Sequence, residues 1–258
     1  MALNWLDYFE EQNRLSLVQY FPYELNLLER SIDIVELIRC ELSFRIPDKT
    51  IEDLINCDNN DISCKSVSFS LIYMATRRLF AARKMLLAGY HQGALGSLRD
   101  MIECLYYSDI CRQSISRSKR WLKFGYLDKP SNLNIHPAIE KARIGELWKL
   151  LSKAGVHPCF GGIFLETSMI IPSMGEFRGV KYTLTEEWRE SSARRNRETI
   201  ETIIMWIAII VHDHFIVYLD DLYGDIYYQN PEIKLKMEAY EDIYHNLAEG
   251  KLKNNKIF

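Results

Sequence analysis

Arg99 and Glu103 stand four residues apart in the sequence. On a helix that spacing puts both side chains on one face. A guanidinium beside a carboxylate suits the capture of a phosphate or carboxylate, or the steering of a proton. His157 precedes Pro158 where a helical pattern stops. Its imidazole titrates close to neutrality, which fits a general acid or base. Arg99, Glu103 and His157 therefore form the candidate catalytic set, provided the fold brings them together. Each also has a plainer reading. Arg99 and Glu103 make an intrahelical ion pair worth about 0.3–0.5 kcal/mol when exposed. His157 makes a cation at a helix C-terminus, where the dipole favours it.

A second group is basic. Arg112, Arg117, Lys119, Arg120 and Lys123 follow one another with no acid between them, and Trp121 lies among them. Such residues contact phosphates, and an interleaved Trp stacks on a base. The plainer reading is a solvated helix face. Arg194, Arg195 and Arg197 form a smaller cluster. A third group, His212-Asp213-His214, interrupts an apolar run. Adjacent helical residues point to different faces, so the three cannot converge on one metal. The chain has no Glu-x-x-His, which a di-iron bundle needs. Gly161-Gly162 lacks the spacing of either nucleotide loop. No serine elbow or zincin motif is present. These readings predict no metal and no cofactor.

The elements that position these residues are helical. The chain has 258 residues, 48 % hydrophobic, with a net charge of −3 and only 12 Gly and 7 Pro. That excludes a disordered or collagen-like chain and favours a few long elements. Leu71, Ile72, Ala75, Leu79, Ala82 and Leu86 recur at three- and four-residue steps, predicting a helix over 66–88. Gly89-Tyr90 breaks it. Ala94, Leu95, Leu98, Met101, Ile102, Leu105 and Tyr106 repeat the pattern over 91–112. Two amphipathic helices with a short connection predict an antiparallel hairpin. Gly93 and Gly96 would let the two helices approach closely.

Further helices are predicted at 3–21, 23–45, 50–55, 138–154, 185–223 and 231–249. Residues 159–184 are richer in Gly, and Ser168–Ile171 is predicted to pair with Val180–Thr183 as a small hairpin. The fold class is all-α: one domain, 1–258, of seven to nine helices around the 66–112 hairpin, with an irregular or β insert. Ile203–Val211 and Phe215–Leu219 are apolar, but the ionisable triplet between them is costly in lipid, so a buried helix is predicted rather than a membrane span. The acidic N-terminus lacks the pattern of a signal peptide. No Cys-x-x-Cys occurs among Cys40, Cys57, Cys64, Cys104, Cys111 and Cys159. Reduced thiols and a cytoplasmic location are predicted.

The segment Arg83–Tyr107, RKMLLAGYHQGALGSLRDMIECLYY, resembles the central hairpin of an uncharacterised HEPN-like helical family. The Leu-Arg-x-x-x-Glu pattern is Leu98-Arg99-Asp100-Met101-Ile102-Glu103, and the Leu-Ser…His-Pro stop is Leu151-Ser152…His157-Pro158. The resemblance covers about 60–225. It implies an all-helical bundle, homodimeric, from a superfamily of metal-independent ribonucleases, defence toxins and members without activity. The superfamily's ribonuclease signature is an Arg followed four to six residues later by a His. None of the six His here has one, Arg83 and His91 coming nearest with seven residues between. The resemblance thus implies a non-catalytic interaction or sensing module in a defence or stress system. The alternatives are an RNA-acting enzyme with a non-standard Arg99, Glu103, His157 site, and a binder of small anions.

Overall fold

The computed structural model describes residues 2–44, 49–57, 59–127, 133, 145–153, 176–177, 180–181 and 201–249. The chain is mostly helical among them. The centre is the pair α4 (Asn60–Ala88) and α5 (His91–Arg112). Every apolar position of the first predicted stripe is buried, as are Ala94, Leu95, Leu98, Met101, Ile102 and Leu105 of the second, while Tyr106 is half-buried. α4 begins six residues earlier than its stripe predicts. Ser63 and Ser66 are polar yet buried there, and the Ser63 hydroxyl donates to the Leu54 carbonyl at 3.3 Å. Buried serines leave no apolar signal in the sequence.

The turn between the two helices is closed by backbone bonds. Gly89 has φ +89°, its N–H donates to Leu86 O at 3.1 Å, and the Tyr90 N–H donates to Met85 O at 2.7 Å. This is a Schellman ending, which needs a left-handed residue at the glycine position. α1 (Ala2–Tyr20) adds a side-chain cap: Asn13 Nδ2 donates to the carbonyls of Leu86 and Leu87 at 3.2 and 2.8 Å. Beyond the turn, a Cβ on Gly93 would meet the flexible Met85 side chain, with Sδ at 2.8 Å.

Other helices wrap this hairpin. α2 (Pro22–Ser43) buries Leu27, Leu28, Ile34, Val35 and Ile38. α3 (Ile51–Asn56) opens with a capping box in which Thr50 and Asp53 exchange side-chain to backbone bonds. α6 (Ile115–Leu127) and α7 (Gly145–Leu151) pack on α5. Residues 201–210 are helical (α8), Val211–Ile216 are π-helical, and α9 (Val217–Tyr223) continues the rod. α10 (Asp225–Gln229) and α11 (Pro231–Ala248) follow. α11 runs antiparallel along α2, with Asn230 donating to Glu41 at 2.8 Å and Lys236 4.0 Å from Asp33. The segment Glu201–Asp220 is long and apolar enough to cross a membrane, and half of that window is buried in the fold.

Two details differ from the sequence-based picture. With 201–223 taken as one rod, the described residues already hold ten helices, one above the upper expectation. Two helices have no counterpart among the predicted ranges: α6, and α10, which is cut off from α9 where Gly224 sits. In the insert, β1 (Glu176–Phe177) pairs antiparallel with β2 (Val180–Lys181), Phe177 opposite Val180. Val180 thus pairs with Phe177, while Ser168–Ile171 lie outside the described residues.

The left-handed turn generates a prediction. Gly89→Ala places a Cβ where L-residues cost about 1–2 kcal/mol, 3.4 Å from Asn13 Cγ. Urea unfolding should show a loss of that size. Gly93→Ala should be near neutral, since Met85 is flexible and a helical Gly costs about 1 kcal/mol relative to Ala. Equal effects at both positions would contradict the turn geometry.

Candidate functional site

Arg99 lies on α5 with its side chain about a quarter exposed, and three partners hold its guanidinium. Nη2 sits 2.7 Å from Glu103 Oε1, Nε donates to Ser152 Oγ at 2.8 Å, and Cζ lies 4.5 Å from the centre of the Trp148 ring. Asp100 is a fourth, looser neighbour at 3.7 Å, and it also faces Arg78 at 3.7 Å. Trp148 and Leu151 are buried on α7. Arg99 therefore ties α7 to α5. Only a planar guanidinium makes these contacts together: a charge-assisted bond to the carboxylate, a bond to the hydroxyl, and a face-on contact with an aromatic ring. Chemically the group is already neutralised. An incoming phosphate would meet the Glu103 carboxylate beside the cation. Arg99 and Glu103 are thus brought together, while His157 lies outside the described residues.

The basic residues map to one element. Arg112 ends α5, and Arg117, Lys119, Arg120, Trp121 and Lys123 lie on α6. Ser118 and Leu122 point inward, with the Ser118 hydroxyl donating to Cys111 O at 2.6 Å. Arg117 and Arg120 are exposed, and Lys123 is half-buried. Trp121 is half-buried against a small second core of Leu54, Val67, Leu71, Cys111 and Leu122. Part of its ring surface is therefore committed to packing. Arg194, Arg195 and Arg197 lie outside the described residues.

The His212-Asp213-His214 triplet occupies the π-helical turn. Such turns are rare and recur at functional sites. His212 Nδ1 is 2.6 Å from Asp213 Oδ1, and its ring stacks on Tyr244 at 4.4 Å and Tyr240 at 5.5 Å, each within 10° of parallel. The sequence reading did not find these tyrosines, because they come from α11. The only signal was the triplet itself, an ionisable break in an apolar run. Tyr240 is fully buried, its hydroxyl has no hydrogen-bond partner among the described residues, and burial pushes its pKa far up. Burial lowers the His214 pKa below the ordinary value, with Asp213 pulling the other way. Among the described residues, no group of three or more His, Cys, Asp or Glu is placed to hold a metal. Cys40, Cys57, Cys64, Cys104 and Cys111 are free thiols. Burial raises Cys104 to about 11 and Cys111 to about 12, which makes both poor nucleophiles.

Two predictions follow from this geometry. Arg99→Ala should cost about 1–3 kcal/mol, the size of a lost charged hydrogen bond, and hydrogen exchange should speed up in α7. Arg99→Lys should recover little, since an ammonium cannot serve the carboxylate, hydroxyl and ring at once. Full recovery by Lys would show that charge alone matters. For His214, the unfolded chain takes up a proton near pH 6.5 and the folded chain only at lower pH. Its contribution to stability is complete above pH 6.5 and falls as the pH drops towards the folded value, by at most about 1.4 kcal/mol per pH unit. His214→Asn should therefore lose less stability than the wild type between pH 7.5 and 5.5. Parallel pH profiles for the two proteins would contradict the burial argument.

Compared with known proteins, the chain matches no family model, no curated protein and no solved structure.

Proposed function

We propose that this chain is a non-catalytic, HEPN-like helical interaction or sensing module, acting in the cytoplasm as a homo-oligomer or with a protein partner. The observation that carries the reading is the state of Arg99. Of the residues singled out for chemistry, it is the one best placed to hold an anion, and its guanidinium is spent on Glu103, Ser152 and Trp148. A half-buried Arg that is paired and stacked in this way supports packing. Chemistry at this position would need Glu103 to leave or to be protonated, at a cost set by the ion pair. The missing Arg-to-His spacing points the same way. The defence or stress context comes from the resemblance alone.

The test has two arms. Light scattering of the purified chain at micromolar concentration should give a dimer or larger species, or the chain should co-purify with a stoichiometric protein. Mixed RNAs incubated with the wild type should stay intact. Cleavage by the wild type that an Arg99→Ala, His157→Ala double variant loses would overturn the reading and place the chemistry on Arg99, Glu103 and His157. A partner-free monomer would overturn the interaction role.

A further inference from the structure

We infer that the outer face of α6 is a track for the phosphate backbone of a single-stranded nucleic acid, with Arg117, Arg120 and Lys123 as its three cationic contacts. The inference stands apart from the role of Arg99, because it concerns binding without turnover.

Charge is the first support. Between Asp109 and Asp128 the sequence carries five cations and no acid. Several arginines elsewhere are paired with acids. Arg14 meets Glu11, Arg39 meets Glu36, Arg83 meets Glu29 at 2.6 Å, and Arg99 meets Glu103. The side chains of Arg117, Arg120 and Lys123 enter no hydrogen bond or ion pair among the described residues. Asp53, on the neighbouring α3, has its carboxylate tied to the Thr50 backbone at 3.1 Å. Among the described residues no carboxylate forms an ion pair with Arg117, Arg120 or Lys123.

Geometry is the second. Arg117, Arg120 and Lys123 follow at steps of three, so they wind gently round the outside of the helix. At 1.5 Å of rise per residue they span about 9 Å along the axis. That places cations at short, regular intervals, as a chain of repeating monoanions requires. Ser114 and Ser116 stand at the same end as Arg117, their hydroxyls 3.1 Å apart, and add hydrogen-bonding capacity for phosphate oxygens.

The remaining side chains decide between polyanions. A helix that lies on a lipid surface needs an apolar face to insert. Trp121 and Leu122 of α6 pack into the second core, and Ile115 at its start is half-buried. The outward side chains Ser116, Arg117 and Arg120 are all polar. The face therefore suits a strand held by its phosphates rather than a membrane. Because Trp121 is partly engaged in that core, bases are not stacked tightly, and binding should tolerate any sequence.

The test is fluorescence anisotropy of a labelled mixed-sequence 20-mer RNA with the full chain, from 25 to 200 mM NaCl. Three contacts to a single strand predict a slope of log K against log salt of about −2. Arg117→Glu with Arg120→Glu should weaken binding at least about tenfold and flatten the slope, two of the three contacts being lost. Lys234→Glu, on exposed α11, should change neither. Thermal melts by circular dichroism check that the variants fold, which the exposure of Arg117 and Arg120 favours. Uridine and adenosine homopolymers should bind within about threefold of each other, since backbone contacts carry no sequence information. The inference is overturned by no binding at 25 mM NaCl, by an unchanged slope in a folded double variant, by a strong preference for one base, or by binding to phosphatidylserine vesicles without binding to RNA.

Discussion

The seam between α4 and α5 is the constraint on which the other contacts depend. Its apolar residues alone would tolerate sliding by a turn. Two features fix the register. Gly89 permits a closed left-handed turn, and a serine pair stands further along. Ser68 Oγ and Ser108 Oγ are 2.6 Å apart, both fully buried, and Ser108 also donates to Ser68 O at 3.1 Å. A buried hydroxyl without a partner costs about 1–3 kcal/mol. A slip of one turn would strand two of them. With the register fixed, Arg99 emerges on the side of α5 where α7 can reach it, and Cys111 and Leu122 meet at the base of α6.

The same residue type then does two different things on either side of this seam. Arg99 is partly withdrawn from water, so its charge needs compensation, and Glu103 one turn away supplies it. Trp148 covers the guanidinium face and Ser152 takes the remaining edge. Arg117 and Arg120 remain in solvent, where hydration satisfies them and no carboxylate is required. The net charge of −3 conceals this division, because it sums cations paired with carboxylates, such as Arg99, and cations left in water, such as Arg117 and Arg120.

The hairpin was legible in the sequence because burial on a helix leaves a three-and-four spacing, and because glycine at a Schellman position has no substitute of equal cost. The Arg99–Glu103 pair was legible for the same reason: its geometry lies within one helix. Ser152 and Trp148 were not, since they come from about fifty residues further on and only packing brings them in. The described ladder joins two dipeptides separated by only two residues, the spacing of a tight β-turn, which the composition of Glu176–Phe177 does not signal. The π-helical turn has no composition of its own, and nothing before the fold says that α11 will cover it.

That turn explains how an ionisable triplet fits inside an apolar rod. Up to its first residue, Ile204, Ile207, Ala208 and Val211 face the core; from its last two residues onward, Phe215, Ile216 and Leu219 do. The wider π-helical turn lets both apolar sets face inward while Asp213 remains in water. His212 then lies against α11, where Tyr240 and Tyr244 receive it as a stack. Aromatic stacking of this kind contributes about 0.5–1.5 kcal/mol per pair beyond area burial. Against it stands the Tyr240 hydroxyl, buried without a partner at about 1–3 kcal/mol. Removing an aromatic body from water contributes roughly 1.5–3 kcal/mol more. The sum favours docking, so α11 is held at this point by ring burial and stacking. Towards its N-terminal end Ile233 is buried in the same core, and Asn230 to Glu41 and Lys236 to Asp33 add polar contacts to α2. The triplet that breaks the hydropathy of the rod thus attaches the last described helix to the fold.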